Sequence, residues 1–249
     1  MSRFAQLLLY APRVGRLRGI PVHLHLSFLL LALYLLLTTK ALWVDLVLVL
    51  VVFTSVLLHE LGHCEGARKV GGLPQRIVLW PLGGLAYNSH EDTAKAELIV
   101  SAAGPLVNLV LALIAGGILL VRPDVPGLDQ VRAGASTLLT DLVALVATVN
   151  ALLFVFNVLP AFPLDGGSIA RALLRFPLQW KRATLVVGGL GVATAGALIV
   201  LGIQWRAGIL FGLGLLFLFV SGSEFRKAWR FTPLPEYDDL MPHERRAGS

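Results

Sequence analysis

Apolar residues fall in long unbroken blocks, and polar residues gather between them. Leu98–Val121 runs for 24 residues without a charge, Leu142–Leu164 for 23, Ala183–Trp205 for 23 and Ala207–Ser223 for 17. Each suits a hydrocarbon core of about 30 Å, which needs roughly 20 helical residues. Two further blocks precede them. Gly19–Thr39 is charge-free but contains His23 and His25, so its apolar part is nearer Leu24–Thr39. The next starts near Trp43 and meets no charge between Asp45 and Glu60, although it reaches His59 first. The pattern predicts six membrane-spanning helices. Met1–Pro21, with Arg3, Arg13, Arg16 and Arg18, is too long for a signal-peptide n-region, and no small-residue cleavage site follows the first block. The first helix is therefore expected to be retained.

One stretch breaks the pattern. Val70–Asn88 carries Gly71, Gly72, Pro74, Pro81, Gly83 and Gly84, which disfavour a helix. It is also too apolar for a solvated loop, with Ile77, Val78, Leu79, Trp80, Leu82 and Leu85. Strand-like pieces at Arg76–Trp80 and Leu85–Asn88, around a Pro-Leu-Gly-Gly turn, fit both facts. Non-helical backbone near membrane depth must be buried in protein or line a wet cavity. This segment is thus a candidate wall for a site.

Composition agrees with the blocks. Apolar residues make up 56% of the 249 and charged residues 14%, about half the usual share for a soluble domain. That excludes a disordered chain and argues against a soluble globule. The formal charge of +6 would ordinarily raise nucleic-acid binding, but the basic residues have another explanation. With the N-terminus in the cytoplasm and six alternating spans, 17 of the 21 Lys and Arg fall on the inner side. The expected localisation is a multi-pass cell-membrane protein with both termini cytoplasmic and no nucleic-acid partner. A single cysteine, Cys64, excludes an internal disulfide and any multi-cysteine zinc ribbon. The predicted fold is an all-α polytopic membrane protein, with six transmembrane helices and a short membrane-associated β-like or re-entrant segment between helices 2 and 3. It divides into a cytoplasmic segment over 1–21, a membrane domain over 22–223 and a cytoplasmic tail over 224–249.

The chemistry concentrates at the end of the second block. His59-Glu60-Leu61-Gly62-His63 is an H-E-x-x-H motif. On a helix, His59 and His63 share one face, about 6 Å apart in rise, and can chelate one zinc ion. Glu60 lies beside them, placed to accept a proton from an attacking water. A chain of this composition contains the motif by chance about 0.004 times. Ionisable groups near the end of a membrane helix are costly and usually functional. The alternative is a helix end emerging into the cytoplasm, where Glu65, Arg68 and Lys69 simply meet water. A catalytic zinc needs a third protein ligand and an open fourth position. Asp165 follows the fourth block, which returns to the cytoplasmic half, and is set among Pro160, Pro163, Gly166 and Gly167. Capping of a short helix over Ser168–Arg175 would explain the aspartate but not this Pro/Gly setting within an apolar run.

Taken together these motifs resemble the site-2 protease family of intramembrane zinc metalloproteases. The resemblance rests on His59-Glu60-x-x-His63 and on Asn157-x-x-Pro160-x-x-Pro163-Leu164-Asp165-Gly166. Gly104-Pro105-Leu106-Val107-Asn108 is similar to that family's Gly-Pro-x-x-Asn element. Pro81-Leu82-Gly83-Gly84 and Ile20-Pro-Val-His23-Leu-His25-Leu-Ser27-Phe28 resemble its smaller prokaryotic branch. The match covers about residues 20–220. It implies a six-helix core, one zinc per chain on His59, His63 and Asp165, and cleavage of transmembrane protein substrates near the cytoplasmic face. Some relatives carry a C-terminal nucleotide-binding domain or an inserted peptide-binding domain; neither has room here, so dependence on a separate regulatory membrane partner or on prior trimming of the substrate is expected. His59 to Arg68 is nine residues, about 14 Å of helix, which sets the metal in the cytoplasmic half of the bilayer.

Other residues are more open. Asn157 could hydrogen-bond substrate backbone or the developing oxyanion, or serve as interhelical glue. Asn108 reads as glue. Gly83 and Gly84 could let an unwound substrate strand pair with the Val70–Asn88 segment, or form a simple tight turn. His23 and His25 read as interfacial residues at the start of the first helix, and Cys64 as core. Asp141 has no assigned role. Two competing functions remain: a membrane metal or ion transporter using the buried His/Asp cluster, and an H-E-x-x-H protease with a downstream Glu as third ligand. The candidates for the latter are Glu65, Glu91, Glu97, Glu224, Glu236 and Glu244, none within an apolar block.

Overall fold

A computed structural model describes residues 11–28, 30, 33, 37, 42–80, 83–121 and 138–230. Six helices and one sheet have bounds within the described residues, and residues 26–28, 30, 33 and 37 are helical as well. The helices are α1 (Leu42–Lys69), α2 (Ala94–Val121), α3 (Leu138–Asn157), α4 (Asp165–Leu174), α5 (Trp180–Gln204) and α6 (Gly208–Arg230). The strands are β1 (Arg13–Leu17), β2 (Ile20–Leu24), β3 (Leu73–Trp80) and β4 (Gly83–Ser89). By length and composition, four helical stretches can cross a membrane: Val44–Lys69, Ala94–Val121, Trp180–Gln204 and Gly208–Arg230. Asp141–Asn157 is apolar but shorter. The protein is multi-pass. Most of the expected first helix, along with Pro81 and Leu82 of the expected turn, lies outside the described residues.

The sheet corrects the all-α expectation. Its four strands run in the order β1-β2-β3-β4. The β1–β2 and β3–β4 pairs are antiparallel, while β2 and β3 are parallel, with Val22 opposite Ile77 and Leu24 opposite Leu79. Two of the strands therefore come from the N-terminal segment and the opening of the first charge-free block rather than from the segment between helices. The misreading has a plain cause: Ile20–Leu24 is charge-free, so it merged with the block that follows. His23 lies in β2, not at a helix start; His25 directly precedes helical residues 26–28. One face of the sheet carries Ile20, Val22, Ile77 and Leu79, which pack with Cys64 of α1 in one buried cluster. Cys64 is core, as its burial requires. Alternation along the strands turns Arg76, Val78 and Trp80 the other way.

α2 begins with Thr93, whose hydroxyl accepts from the Ala96 N–H at 3.2 Å and caps the first turn. Its buried residues include Glu97, Val100, Ser101, Gly104, Pro105 and Asn108, one stripe at helical spacing that meets α1, α3 and α4. Gly62 of α1 meets the backbone of Ala103, so the two helices cross closely. α3 ends at Asn157, and residues 158–164 turn the chain into α4. That turn is seated on the α5–α6 hairpin: Ala161 and Leu164 pack with Ala195 and Phe217, and the Ser221 hydroxyl donates to the Phe162 carbonyl at 2.8 Å. α6 continues past Ser223 to Arg230, because its last turns hold Lys227 and Arg230 in good helical positions although they are no longer apolar.

Candidate metal centre

α1 carries His59, Glu60 and His63, all buried. A ring nitrogen of each histidine and a carboxylate oxygen of Glu60 lie within 4.8 Å of one another. Asp165, first residue of α4, completes the group from the opposite side. It does not cap that helix: Leu164 is the cap residue, and no side chain caps the N–H groups. Instead Asp165 Oδ2 lies 3.0 Å from His59 Nε2 and 3.2 Å from His63 Nε2, and the two Nε2 atoms are 3.0 Å apart. Three donors thus form a nearly equilateral triangle.

The protons on the rings decide what the triangle is. His63 Nδ1–H donates to the Val100 carbonyl at 2.8 Å, and His59 Nδ1–H donates to Asn108 Oδ1 at 2.6 Å. Neutral imidazoles bonded in this way present bare lone pairs at both Nε2 atoms. Asp165 Oδ2 accordingly is a buried oxygen without a hydrogen-bond donor. Two lone pairs and a carboxylate turned on one point repel unless a cation sits between them. Ligand atoms around tetrahedral zinc, at bonds of about 2.0–2.1 Å, stand about 3.3 Å apart, close to the triangle seen. Two imidazoles and one carboxylate also match the ligand types of catalytic zinc sites with an open fourth position. The residues present fit a zinc ion.

Close packing holds these groups. A Cβ on Gly104 of α2 would overlap His63 Nε2 and lie 2.8 Å from His59 Nε2, so only glycine lets α2 pass so near. Gly84 of β4 sits on Glu60 in the same manner, where a Cβ would lie 2.6 Å from Cδ and Oε1. The Ala86 backbone amide also faces the Glu60 carboxylate. Gly83 has φ +143°, a conformation that favours glycine, and open space beside it. α4 is clamped to α2: Arg171 and Arg175 reach the two oxygens of buried Glu97 at 2.6 and 2.7 Å. Arg175 also meets Asp92 at 2.7 Å. Partial burial works against the Arg175 charge, but Glu97 and Asp92 outweigh it and raise its pKa.

Of the residues singled out from the sequence, His59, Glu60, His63, Asp165 and Gly84 converge. The Asn157 side chain donates to the Leu153 carbonyl of its own helix at 3.0 Å. Cys64 and His23 turn elsewhere, His23 Nδ1 to the Ala11 carbonyl at 2.8 Å. Asp141 lies exposed in the first turn of α3. Of the competing Glu ligands, Glu65 pairs with Arg68, Glu97 with Arg171 and Arg175, and Glu224 with Lys227; Glu91 is exposed, and Glu236 and Glu244 lie outside the described residues. Asn108 is more than glue, since it holds His59. Asn150 is fully buried beside it; an amide among apolar neighbours inside the Leu142–Leu164 block, as at Asn157, is the sequence signal that marks it.

Comparison with known proteins agrees with this geometry. The profile of peptidase family M50 matches residues 47–137 and 127–195. A zinc metalloprotease of Methanocaldococcus jannaschii is 31% identical over 221 residues, covering 87% of this chain and 61% of that protein. Rip3 of Mycobacterium tuberculosis is 35% identical over 177 residues, 70% of this chain and 40% of its own. YwhC of Bacillus subtilis is 31% identical over 152 residues, 51% of this chain and 68% of its own. The chain thus spans between two fifths and two thirds of the length of these relatives. The solved structure of a site-2 protease from Methanocaldococcus jannaschii superposes with a TM-score of 0.61 at 28% identity, over 91% of this chain and 99% of that one. Motifs, donor geometry and these likenesses converge, and the chain belongs to peptidase family M50, the site-2 proteases.

Proposed function

We propose that the chain is an intramembrane zinc endopeptidase that hydrolyses peptide bonds in or near transmembrane segments of membrane proteins. The observation that carries this reading is the triangle of His59 Nε2, His63 Nε2 and Asp165 Oδ2, 3.0–3.2 Å on a side, with Glu60 beside it. In this reading those three residues hold one zinc ion and leave one side open. A bound zinc supplies a Lewis acid for the scissile carbonyl and acidifies water. Glu60 accepts the proton of the attacking water and returns it to the leaving amine nitrogen. Gly84 and the Ala86 amide keep its carboxylate in line for both transfers.

A helical substrate hides its carbonyls in hydrogen bonds and must unwind before attack. β4 is the edge of the sheet and passes directly over Glu60. An unwound segment can add to that edge as a further strand, with Gly83 and Gly84 giving its backbone room. Asn157 is available at the end of α3 for the substrate backbone or oxyanion. The lysine and arginine distribution supports six spans, both termini in the cytoplasm and a site opening to that side. Helix-breaking residues in the substrate should speed cleavage. The test is reconstitution with a transmembrane substrate library, comparing wild type with Glu60→Gln. Cleavage by wild type and its loss in the variant, with zinc still bound, is the expected result. Cleavage retained by Glu60→Gln would overturn the mechanism, and zinc flux across liposomes retained without any cleavage would favour transport.

A further inference from the structure

Both imidazoles of the triangle have their second nitrogen tied to an acceptor, but the ties differ in kind. His63 Nδ1 meets a backbone carbonyl, that of Val100, at 2.8 Å. A carbonyl has no proton to give, so Nδ1 of His63 must carry one. His59 has no such partner. Its Nδ1 meets the side-chain oxygen of Asn108 at 2.6 Å. An amide can turn over. Reversed, Asn108 would present its NH2 to His59, drive the ring proton to Nε2 and close the lone pair that a metal needs.

Asn150 prevents the reversal. Its Nδ2 donates to the Val146 carbonyl at 2.9 Å and to Ser55 Oγ at 3.0 Å. Val146 can only accept, so the Asn150 NH2 must face it and the Asn150 oxygen must face Asn108. Asn108 Nδ2 then donates to that oxygen at 2.8 Å, and Asn108 Oδ1 is left for His59. The ring proton of His59 is in this way fixed at a backbone carbonyl of α3, through two side chains. Asn108 and Asn150 are fully buried, and Ser55 lies one turn before His59 on α1.

We propose that Asn150 is a positioning residue for the metal: acting through Asn108, it keeps the His59 proton on Nδ1 and the Nε2 lone pair free. The inference rests on the zinc reading of the site. Interhelical glue would need hydrogen bonds only; this relay needs a direction, and the backbone carbonyl at its far end supplies one.

The test is zinc affinity of the purified full chain in detergent, by competition with a chromophoric chelator. Asn150→Leu should weaken binding about 10–100-fold, the usual cost of losing an outer partner of a ligand histidine. Adding Asn108→Asp should bring it back to within about threefold of wild type, because a carboxylate offers an acceptor whichever way it turns. Asn150→Ala, with less bulk, carries the same expectations should the leucine disturb folding. Unchanged affinity in both single variants, or a double variant as weak as Asn150→Leu, would overturn the proposal. The second result would mean that Asn150 only packs. Wild type that binds no zinc, or His59→Ala that binds it as tightly as wild type, would overturn the zinc reading itself, and is distinguishable because it does not involve Asn150.

Discussion

Gly104→Ala separates folding from metal binding. The added methyl would lie 2.8 Å from His59 Nε2 and closer still to His63 Nε2, where ordinary contact begins at 3.4 Å. His59 must therefore retreat by about 0.6 Å and His63 by more, several times the roughly 0.2 Å tolerance of a zinc–ligand bond. For the fold, the balance is milder. Alanine gains about 0.8–1 kcal/mol of helix propensity over glycine, against about 1–3 kcal/mol for overpacking. The net effect on stability is a loss of about 0–2 kcal/mol. Zinc affinity should instead fall by about 100-fold or more, the scale of loss that a misplacement of about 1 Å produces at a reacting centre. Zinc content by mass spectrometry, chelator competition and thermal unfolding of the metal-free protein in detergent read both quantities. Wild-type zinc affinity in Gly104→Ala would refute the claim that α2 packs against the donor atoms.

Gly84→Ala is expected to give the complementary phenotype: the methyl displaces Glu60 and not the histidines, so zinc content should stay at wild-type level while cleavage falls at least tenfold. Glu97→Leu leaves Arg171 and Arg175 without their shared buried carboxylate, and breaking a buried pair from one side costs about 3–5 kcal/mol. Thermal unfolding should show that loss, and a change under 1 kcal/mol would mean that the α4 clamp contributes nothing. Removal of zinc should lower the melting temperature, since a ligand at about 1,000 times its Kd stabilises by about 4 kcal/mol. Unfolding of the chelated and zinc-loaded protein at the same temperature would argue against a metal at this site.

What could be read from the sequence was whatever depends on local spacing. His59 and His63 had to share a helix face once the block around them was helical, and the Pro/Gly setting of Asp165 marked a chain that stops being helical for a reason. The strand pair within Val70–Asn88 was legible because glycine and proline excluded the alternative. Contacts between distant segments were not legible. β2 pairs with β3 across about fifty residues, and no local property of Ile20–Leu24 distinguishes a buried strand from the start of an apolar helix. Asn108 looked like glue because an amide in a membrane helix has several uses, and its partner is 49 residues away. Gly104 and Gly84 matter for what passes beside them, which sequence does not record.

The pieces of the site share one dependence. α1 contributes both imidazoles, but its spacing sets neither their protons nor their clearance. α2 provides Val100, Gly104 and Asn108, α3 provides Asn150, and β4 holds Glu60. Asp165 arrives on a turn bonded to α6 and a helix clamped to α2. The donor triangle therefore forms only when these elements have packed. A cation bound at its centre is shared by groups that separate elements bring and hold together. Binding free energy at such a site is folding free energy. It follows that variants loosening the helix contacts, even far from the donors, should lose zinc before they lose helical structure.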